Sequence, residues 1–257
     1  MQPVAIEQEL KLLFKQDAPI TIFEIGACEG EDSIKYARLF PNSKIYAFEP
    51  LPDNIKLIRE NFLRYRINNA SFYNKALSAT NGTSEFYVSS GRPENALQSD
   101  WDYGNKSSSL LPPAAHLKVA EFIHFDKKIE VETITLRSFC RDKQISTIDF
   151  IHMDVQGAEL MVLEGAGNFI SSIKVVWLEV SKVDLYKNQP LERDIKKFMT
   201  ANNFFLMKNE LKGLQGDQLY VSGSFYKKHR IFVPFKIAAI KSFFRKVWLK
   251  LRGSNAE

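Results

Sequence analysis

The stretch TIFEIGACEGEDS, Thr21 to Ser33, decides the fold. Its first half, with the preceding proline and isoleucine, is a short apolar run rich in β-branched residues. Such a run suits a strand buried on both faces of a parallel sheet. Its second half carries Gly26 and Gly30, four residues apart, in an acidic turn. The next residues, EDSIKYARLF, place Ile34, Ala37 and Leu39 at helical spacing, with Pro41 beyond the end. Strand, glycine turn and helix in this order form the first unit of an α/β fold.

The same alternation continues. KIYAFEP predicts a second strand, and DNIKLIRENFLRY a second helix capped by Asp53 or Asn54. ASFYNKALS reads as a third strand with its exit loop. Residues 80–115 break the rhythm with glycines, prolines and a serine triplet, and read as a long polar insertion. Beyond it come the strands KIEVETITLRSFC and TIDFIHMDV, the helix GAELMVLEGAGNFI, the strand KVVWLEVS, the helix LERDIKKFMTANN and the strand QLYVSG. The pattern predicts a mostly parallel, Rossmann-like α/β sheet with right-handed crossovers. It divides the chain into an N-terminal helix over 1–16, one domain over 17–225 and a tail over 226–257.

Charge is divided along the same lines. The net charge of +5 is an average over unlike parts. Residues 226–252 hold nine Lys and Arg and no acid, so residues 1–225 carry −3. A nucleic-acid-binding domain should carry its basic face on the folded body, and this body is mildly acidic. The tail segment PFKIAAIKSFFRKVWLKLR, residues 234–252, has Ile237, Ile240, Phe244, Val247 and Leu251 at helical spacing among lysines and arginines. It reads as a basic amphipathic helix for an anionic membrane surface, with packing on the domain or a partner protein as the alternatives. No secretory leader is read at the start, and no apolar run approaches the roughly 18 residues of a membrane span. The two cysteines, Cys28 and Cys140, form no CxxC pair, so neither a zinc cluster nor a disulfide framework is expected. Together these features lead us to expect a cytoplasmic protein, peripheral at most at the inner face of a membrane.

The turn itself narrows the ligand. A dinucleotide fingerprint is G-x-G-x-x-G, whereas this is G-x-x-x-G with Glu24 two residues before the first glycine. Glu24, Glu29, Glu31 and Asp32 would repel a pyrophosphate and suit a cation. S-adenosylmethionine, with its ammonium and sulfonium, fits that description. Glu49, at the end of the second strand and 23 residues after Gly26, stands where an acid takes ribose hydroxyls in nucleotide folds.

The ordered set EIGACEG, FEP, NKALS, NKSSSLLP and IDFIHMDVQGAELMVLEGA resembles the FkbM family of class I methyltransferases dependent on S-adenosylmethionine. The likeness spans roughly residues 20–225, with Gln156 where the family more often has Glu. It implies a seven-strand-type sheet and methyl transfer to a hydroxyl of a sugar, glycan or related metabolite. It also implies that Glu24, Gly26, Ala27 and Gly30, with Asp32 and Ser33, shape the methionine end of the cofactor site. Glu49 and Pro50 would hold the ribose, and Asn74, Lys75 and Ala76 would flank the adenine. Ser109, in the serine triplet, would bond cofactor or acceptor, or form only a polar turn.

For the chemistry, Asp154 at the carboxyl end of the strand IDFIHMD should face the sulfonium, or cap the next helix. Glu159 either acts in the acceptor cleft or is a first-turn acid favoured by the helix dipole. His152 is a candidate base, or a buried ring pointing into a helix layer. His116 is a second candidate on a loop. Asp154 and Glu179 end neighbouring strands as a divalent ion would require, but two acids without a third ligand assign no metal. Two other classes stay open: an NAD-dependent oxidoreductase, and a membrane-recruited binding module with a degenerate cofactor pocket.

Overall fold

The structure is a computed structural model that describes residues 6–92, 105–115 and 121–229. His116 and the basic segment 234–252 lie outside the described residues.

The chain begins with helix α1 (Glu7–Leu13), strand β1 (Thr21–Ile25), helix α2 (Glu31–Leu39), strand β2 (Lys44–Phe48), helix α3 (Pro52–Arg64) and strand β3 (Ala70–Tyr73). Strands β4 (Ala76–Leu77), β5 (Gly82–Ser90) and β6 (His124–Ile134) follow, then helix α4 (Leu136–Asp142). The second half runs β7 (Ile148–Met153), α5 (Glu159–Glu164), β8 (Ile173–Ser181), α6 (Glu192–Ala201), β9 (Phe204–Asn209), β10 (Gln215–Ser222) and α7 (Gly223–His229).

Seven strands form one sheet in the order β3-β2-β1-β7-β8-β10-β9. The first five are parallel, and β10 runs antiparallel to both its neighbours. The chain leaves β1 toward β2 on one side and returns at β7 on the other. That reversal opens a crevice at the carboxyl ends of β1 and β7, where open α/β sheets bind ligands. The central strands read as continuous apolar runs because helices cover both faces. On one face Phe23, Ile25, Phe48 and Met153 pack with Phe139 of α4 and Leu163 of α5. On the other, Ile22, Phe150 and Trp177 pack with Tyr36 of α2. Helix α1 joins this second layer through Leu10 and Leu13, and just past its end Phe14 stacks on Phe225 at 5.4 Å. The N-terminal helix is thus part of the same core.

Several local expectations are corrected. The insertion over 80–115 is not simply extended loop: β5 pairs antiparallel with β6, and β4 pairs parallel with β6, in a separate three-stranded sheet. Its strand GTSEFYVSS buries little beyond Phe86 and Ser89, so it lacks the apolar run that marks the main strands. The NKAL segment, expected at the exit of the third strand, places Ala76 and Leu77 in that second sheet. Helix α3 begins differently, with Leu51 as its N-cap and Pro52 in the first turn, where a missing N–H costs nothing. Asp53 instead pairs with Lys56 at 2.7 Å in solvent. Strand β9 adds an element that the sequence pattern does not separate, because FFLMKN follows the preceding helix after a two-residue turn.

Candidate functional site

The glycine turn is shaped by the sheet before any ligand is considered. Gly26 and Ala27 both donate backbone N–H bonds to the carbonyl of Phe48, at 3.0 and 2.9 Å. Asp154 N–H donates to the carbonyl of Ile25 at 3.0 Å, so the loop after β7 lies directly against the loop after β1. A Cβ on Gly26 would meet the Asp154 carbonyl oxygen at 1.9 Å, and Gly26 sits at φ +85°. Glycine is required here by close backbone approach of the neighbouring strand. Gly30, at φ +77°, is the N-cap of α2.

Glu49 sits at the end of β2 and is only 5 % exposed. Its Oε2 accepts from Cys28 N–H at 2.9 Å and its Oε1 from Leu51 N–H at 2.8 Å. The Asn54 side chain also bonds this carboxyl, and lone-pair capacity remains for a further donor. Burial pushes the carboxyl up to about 7, against the lowering pull of these bonds. Glu24 is also buried, and accepts a short hydrogen bond from Ser33 Oγ. Burial and the nearby Asp32 charge hold its carboxyl well above the usual range. His152 lies in register with Glu24 and faces α2, its ring edge-on to Tyr36 at 5.8 Å. Its Nδ1 is 3.7 Å from Asp32 Oδ2 and buried without a hydrogen bond among the described residues. Desolvation lowers its pKa, against the raising pull of Asp32 and Asp154. The ring does enter a helix layer, as one expectation had it, yet one edge still reaches the cleft.

The loop after β7 carries the second half of the site. Asp154 opens onto the cleft while protein surrounds it, and that desolvation raises its carboxyl. Gln156, at φ +53°, donates its amide to Asp154 Oδ1 at 2.7 Å and to Glu179 Oε2 at 3.2 Å. Glu159 is buried and turned back under the loop. Its Oε1 accepts from Val155 N–H at 3.2 Å and Gly157 N–H at 3.3 Å, and burial pushes its carboxyl up to about 7. Oxygens of Asp154, Glu159 and Glu179 lie within 4.8 Å of one another. The Gln156 amide bridges the first and last of these carboxylates, and Glu159 is engaged with backbone.

The cleft between these halves holds about 1020 Å³ of empty space, mouth included, enough for a nucleoside-sized ligand. Glu24, Gly26, Ala27, Asp32, Glu49 and Pro50 line it, together with Lys75, Ala76, His152 and Asp154. Five residues named from the sequence do not line it. Gly30 and Ser33 support it through the helix start and Glu24. Asn74 donates to the carbonyls of Glu49 and Pro50, at 3.1 and 2.8 Å, and so props the end of β2. Glu159 clamps the loop through Val155 and Gly157 and does not line the cleft. Ser109 is fully buried and donates to the Gln156 carbonyl at 2.7 Å, tying the insertion to the β7 loop. Its neighbour Ser108 reaches the wall instead.

Two residues around the cleft carried no signal for a place in the site, Asn54 having read only as a helix cap. Asn54 is buried at the start of α3 and accepts from Asn105 Nδ2 at 2.9 Å, which draws the insertion against the cleft. Tyr186, after β8, anchors Gln156. Spacing along the chain does not reveal either, because each partner lies about a full supersecondary unit away or more.

The lining has six carboxylate residues against two lysines, so it favours a cation and opposes a pyrophosphate. That charge balance, with no third glycine in register, removes support from the oxidoreductase alternative.

Comparison with known proteins agrees. The 2-O-methyltransferase NoeI of Sinorhizobium fredii strain NGR234 is 29% identical over 214 residues, covering 83% of this chain and 84% of NoeI. The crystal structure of a methyltransferase FkbM from Methylobacillus flagellatus superposes with a TM-score of 0.52 at 14% identity. That match covers 86% of this chain and 48% of the solved one, so this chain spans about half its length. The family model for the methyltransferase FkbM domain matches residues 24–206, most of the described sheet and all of the cleft. This chain belongs to the FkbM methyltransferase family.

Proposed function

We propose that the protein transfers a methyl group from S-adenosylmethionine to a hydroxyl of a sugar, glycan or related metabolite. The observation that carries this reading is Glu49. It is a buried carboxylate at the sheet's switch point, held by two backbone N–H groups and left with lone pairs toward an acidic cleft. Ribose hydroxyls match those lone pairs, and a cationic nucleoside matches the charge. The 2-O-methyltransferase name of NoeI supports an oxygen acceptor.

In this reading Glu49 and Pro50 hold the ribose, Lys75 and Ala76 border the base, and Glu24 and Asp32 set the charge at the amino-acid end. The cofactor supplies an activated methyl on a sulfonium. The chain must then align the acceptor oxygen with that methyl and take the hydroxyl proton. Asp154 is the residue assigned to the proton. It opens to the cleft, and its raised affinity for a proton moves it toward the range useful for a general base. His152 faces the Glu24 and Asp32 side of the cleft and is assigned to packing there.

Calorimetry with S-adenosylmethionine, S-adenosylhomocysteine and NAD tests the cofactor: binding of the first two and not the third is expected. Labelled donor with a panel of glycan acceptors then tests turnover, which a mere binding module would lack. Asp154→Asn should lower kcat by about 10²-fold or more while leaving S-adenosylhomocysteine affinity within a few-fold. Wild-type turnover in that variant would remove Asp154 from the mechanism. The sequence of residues 234–252 supports contact with an anionic surface, and vesicle binding of a full-length variant with Lys241, Arg245 and Lys246 changed to glutamate tests it.

A further inference from the structure

Gln156 is pinned at three points in a way that a loop residue of ordinary structural purpose is not. Its backbone is left-handed at φ +53°, and its carbonyl accepts from the buried Ser109 Oγ at 2.7 Å. Its side-chain Nε2 donates to Asp154 Oδ1 at 2.7 Å and to Glu179 Oε2 at 3.2 Å. Its Oε1 accepts from the Tyr186 hydroxyl at 3.1 Å. The amide has only one chemically sensible orientation. Turned over, it would set its oxygen against two carboxylates, and these fix the orientation, since the Tyr186 hydroxyl can donate to the amide oxygen or accept from its NH₂. That hydroxyl also lies 2.7 Å from the Ser107 carbonyl, and it has one proton to share between the two acceptors.

We propose that Gln156 is a positioning residue for methyl transfer: its amide holds one oxygen of Asp154 so that the carboxylate faces the acceptor hydroxyl, and it keeps Asp154 ionised beside Glu179. The proposal rests on the assignment of Asp154 as the proton acceptor. Oδ1 is engaged by the amide and the Gln156 backbone also bonds the carboxyl, so the group is held from the Gln156 side while it still lines the cleft. Without an intervening donor, two carboxylates this close would share a proton. An Asp154 that already holds a proton cannot take one from the substrate. The charged and titratable groups around Asp154 are His152 on β7, Asp32 on α2, Glu159 on α5, Glu179 on β8, Asp217 on β10 and Tyr186 after β8. Four of these six are carboxylates, and among the six only His152 pulls Asp154 the other way, after the Gln156 amide. The Gln156 amide is the donor placed between the two that matter.

The test needs no identified acceptor. S-adenosylmethionine carries a positive sulfonium and S-adenosylhomocysteine does not. The ratio of their dissociation constants, followed by calorimetry between pH 5 and 9, therefore reports the charge beside the methyl group. In the wild type the preference for the cation should fall as pH drops through the titration of the pair. Gln156→Met removes the donor and adds no charge. It should shift that midpoint upward by about one pH unit, with neutral S-adenosylhomocysteine still bound within about threefold. Tyr186→Phe retains Gln156 and frees its amide to turn, so it should shift the midpoint the same way by less; this arm carries the test if the first variant does not fold. Asp154→Asn should flatten the pH dependence. If Asp154→Asn flattens it and the other folded variants keep the wild-type midpoint, the role of Gln156 is overturned and that of Asp154 stands. If Asp154→Asn keeps the wild-type profile, both are overturned.

Discussion

Replacing Glu49 with glutamine separates the cost of burying a charge from the benefit of using it. Burial raises this carboxyl from 4.5 to about 7. The folded protein therefore binds the proton more tightly than the unfolded chain does. The stability linked to that proton is fully present below pH 4.5 and is lost as pH rises through 7. The difference corresponds to about 3 kcal/mol between the two limits, at about 1.4 kcal/mol per pH unit. The amide in the Glu49→Gln variant does not titrate. It would also set an N–H against either the Cys28 or the Leu51 backbone N–H, a penalty of about 1–3 kcal/mol that is independent of pH. Urea denaturation of wild type and variant at pH 5 and pH 8 should thus show a ΔΔG that is about 2.5 kcal/mol more destabilising at pH 5 than at pH 8, most of the full span. The fixed penalty cancels in this difference, so the result does not depend on its size.

The same carboxylate should then reveal its partner. Hydroxyls of a bound ribose donate to the ionised form, so cofactor binding below pH 7 should release a proton. Calorimetry of S-adenosylhomocysteine at pH 6 in buffers of different ionisation enthalpy would measure that release. Glu49→Gln should abolish it and weaken affinity by about 2 kcal/mol, or roughly 30-fold. Equal ΔΔG at pH 5 and pH 8 would refute the burial argument. Unchanged affinity and unchanged proton release would refute the ribose assignment.

Three further outcomes follow from the loops. Gly26→Ala drives a Cβ to 1.9 Å from the Asp154 carbonyl at φ +85°, so it should cost roughly 3 kcal/mol or more by denaturant unfolding and disturb the cleft. Glu159→Ala leaves the Val155 and Gly157 N–H groups without their acceptor and should destabilise by about 2 kcal/mol; a drop in turnover without any change in stability would instead return it to the catalytic group. Ser109→Ala removes the bond to the Gln156 carbonyl and the acceptor of Leu111 N–H, and should lower stability by about 1–2 kcal/mol while S-adenosylhomocysteine affinity stays within a few-fold, since Ser109 does not line the cleft.

Local signals carried much of this protein. The apolar runs of β1, β2, β7 and β8, each followed by a helical period, were sufficient for a parallel sheet, because a strand covered on both faces must be apolar throughout. The residues that line the cofactor half, from Glu24 and Gly26 to Glu49 and Pro50, lie at or just past the ends of strands β1 and β2. Their position in space is therefore set by their position in the chain. The strands of the second sheet were not legible in the same way. GTSEFYVSS covers one face of a small sheet and is wet on the other, so its composition resembles a loop.

Roles within the site depended on contacts that no spacing encodes. From the sequence, Gly26 reads as room for a ligand, and in the fold that room is taken by the Asp154 carbonyl from a strand more than a hundred residues away. Glu159 and Asp154 are both acids beside one turn. Only the path of the β7 loop decides that one binds backbone beneath it while the other opens to the cleft. Ser108 and Ser109 differ by one position, and the register of their bridge to Tyr87 sends the second inward to Gln156. The sequence by itself therefore determined the sheet, the acidic turn and the class of cofactor, since these follow from short-range pattern and charge. The tertiary structure alone decided which side chain is tied to backbone and which opens to the cleft, because that depends on partners brought together only when distant strands pair.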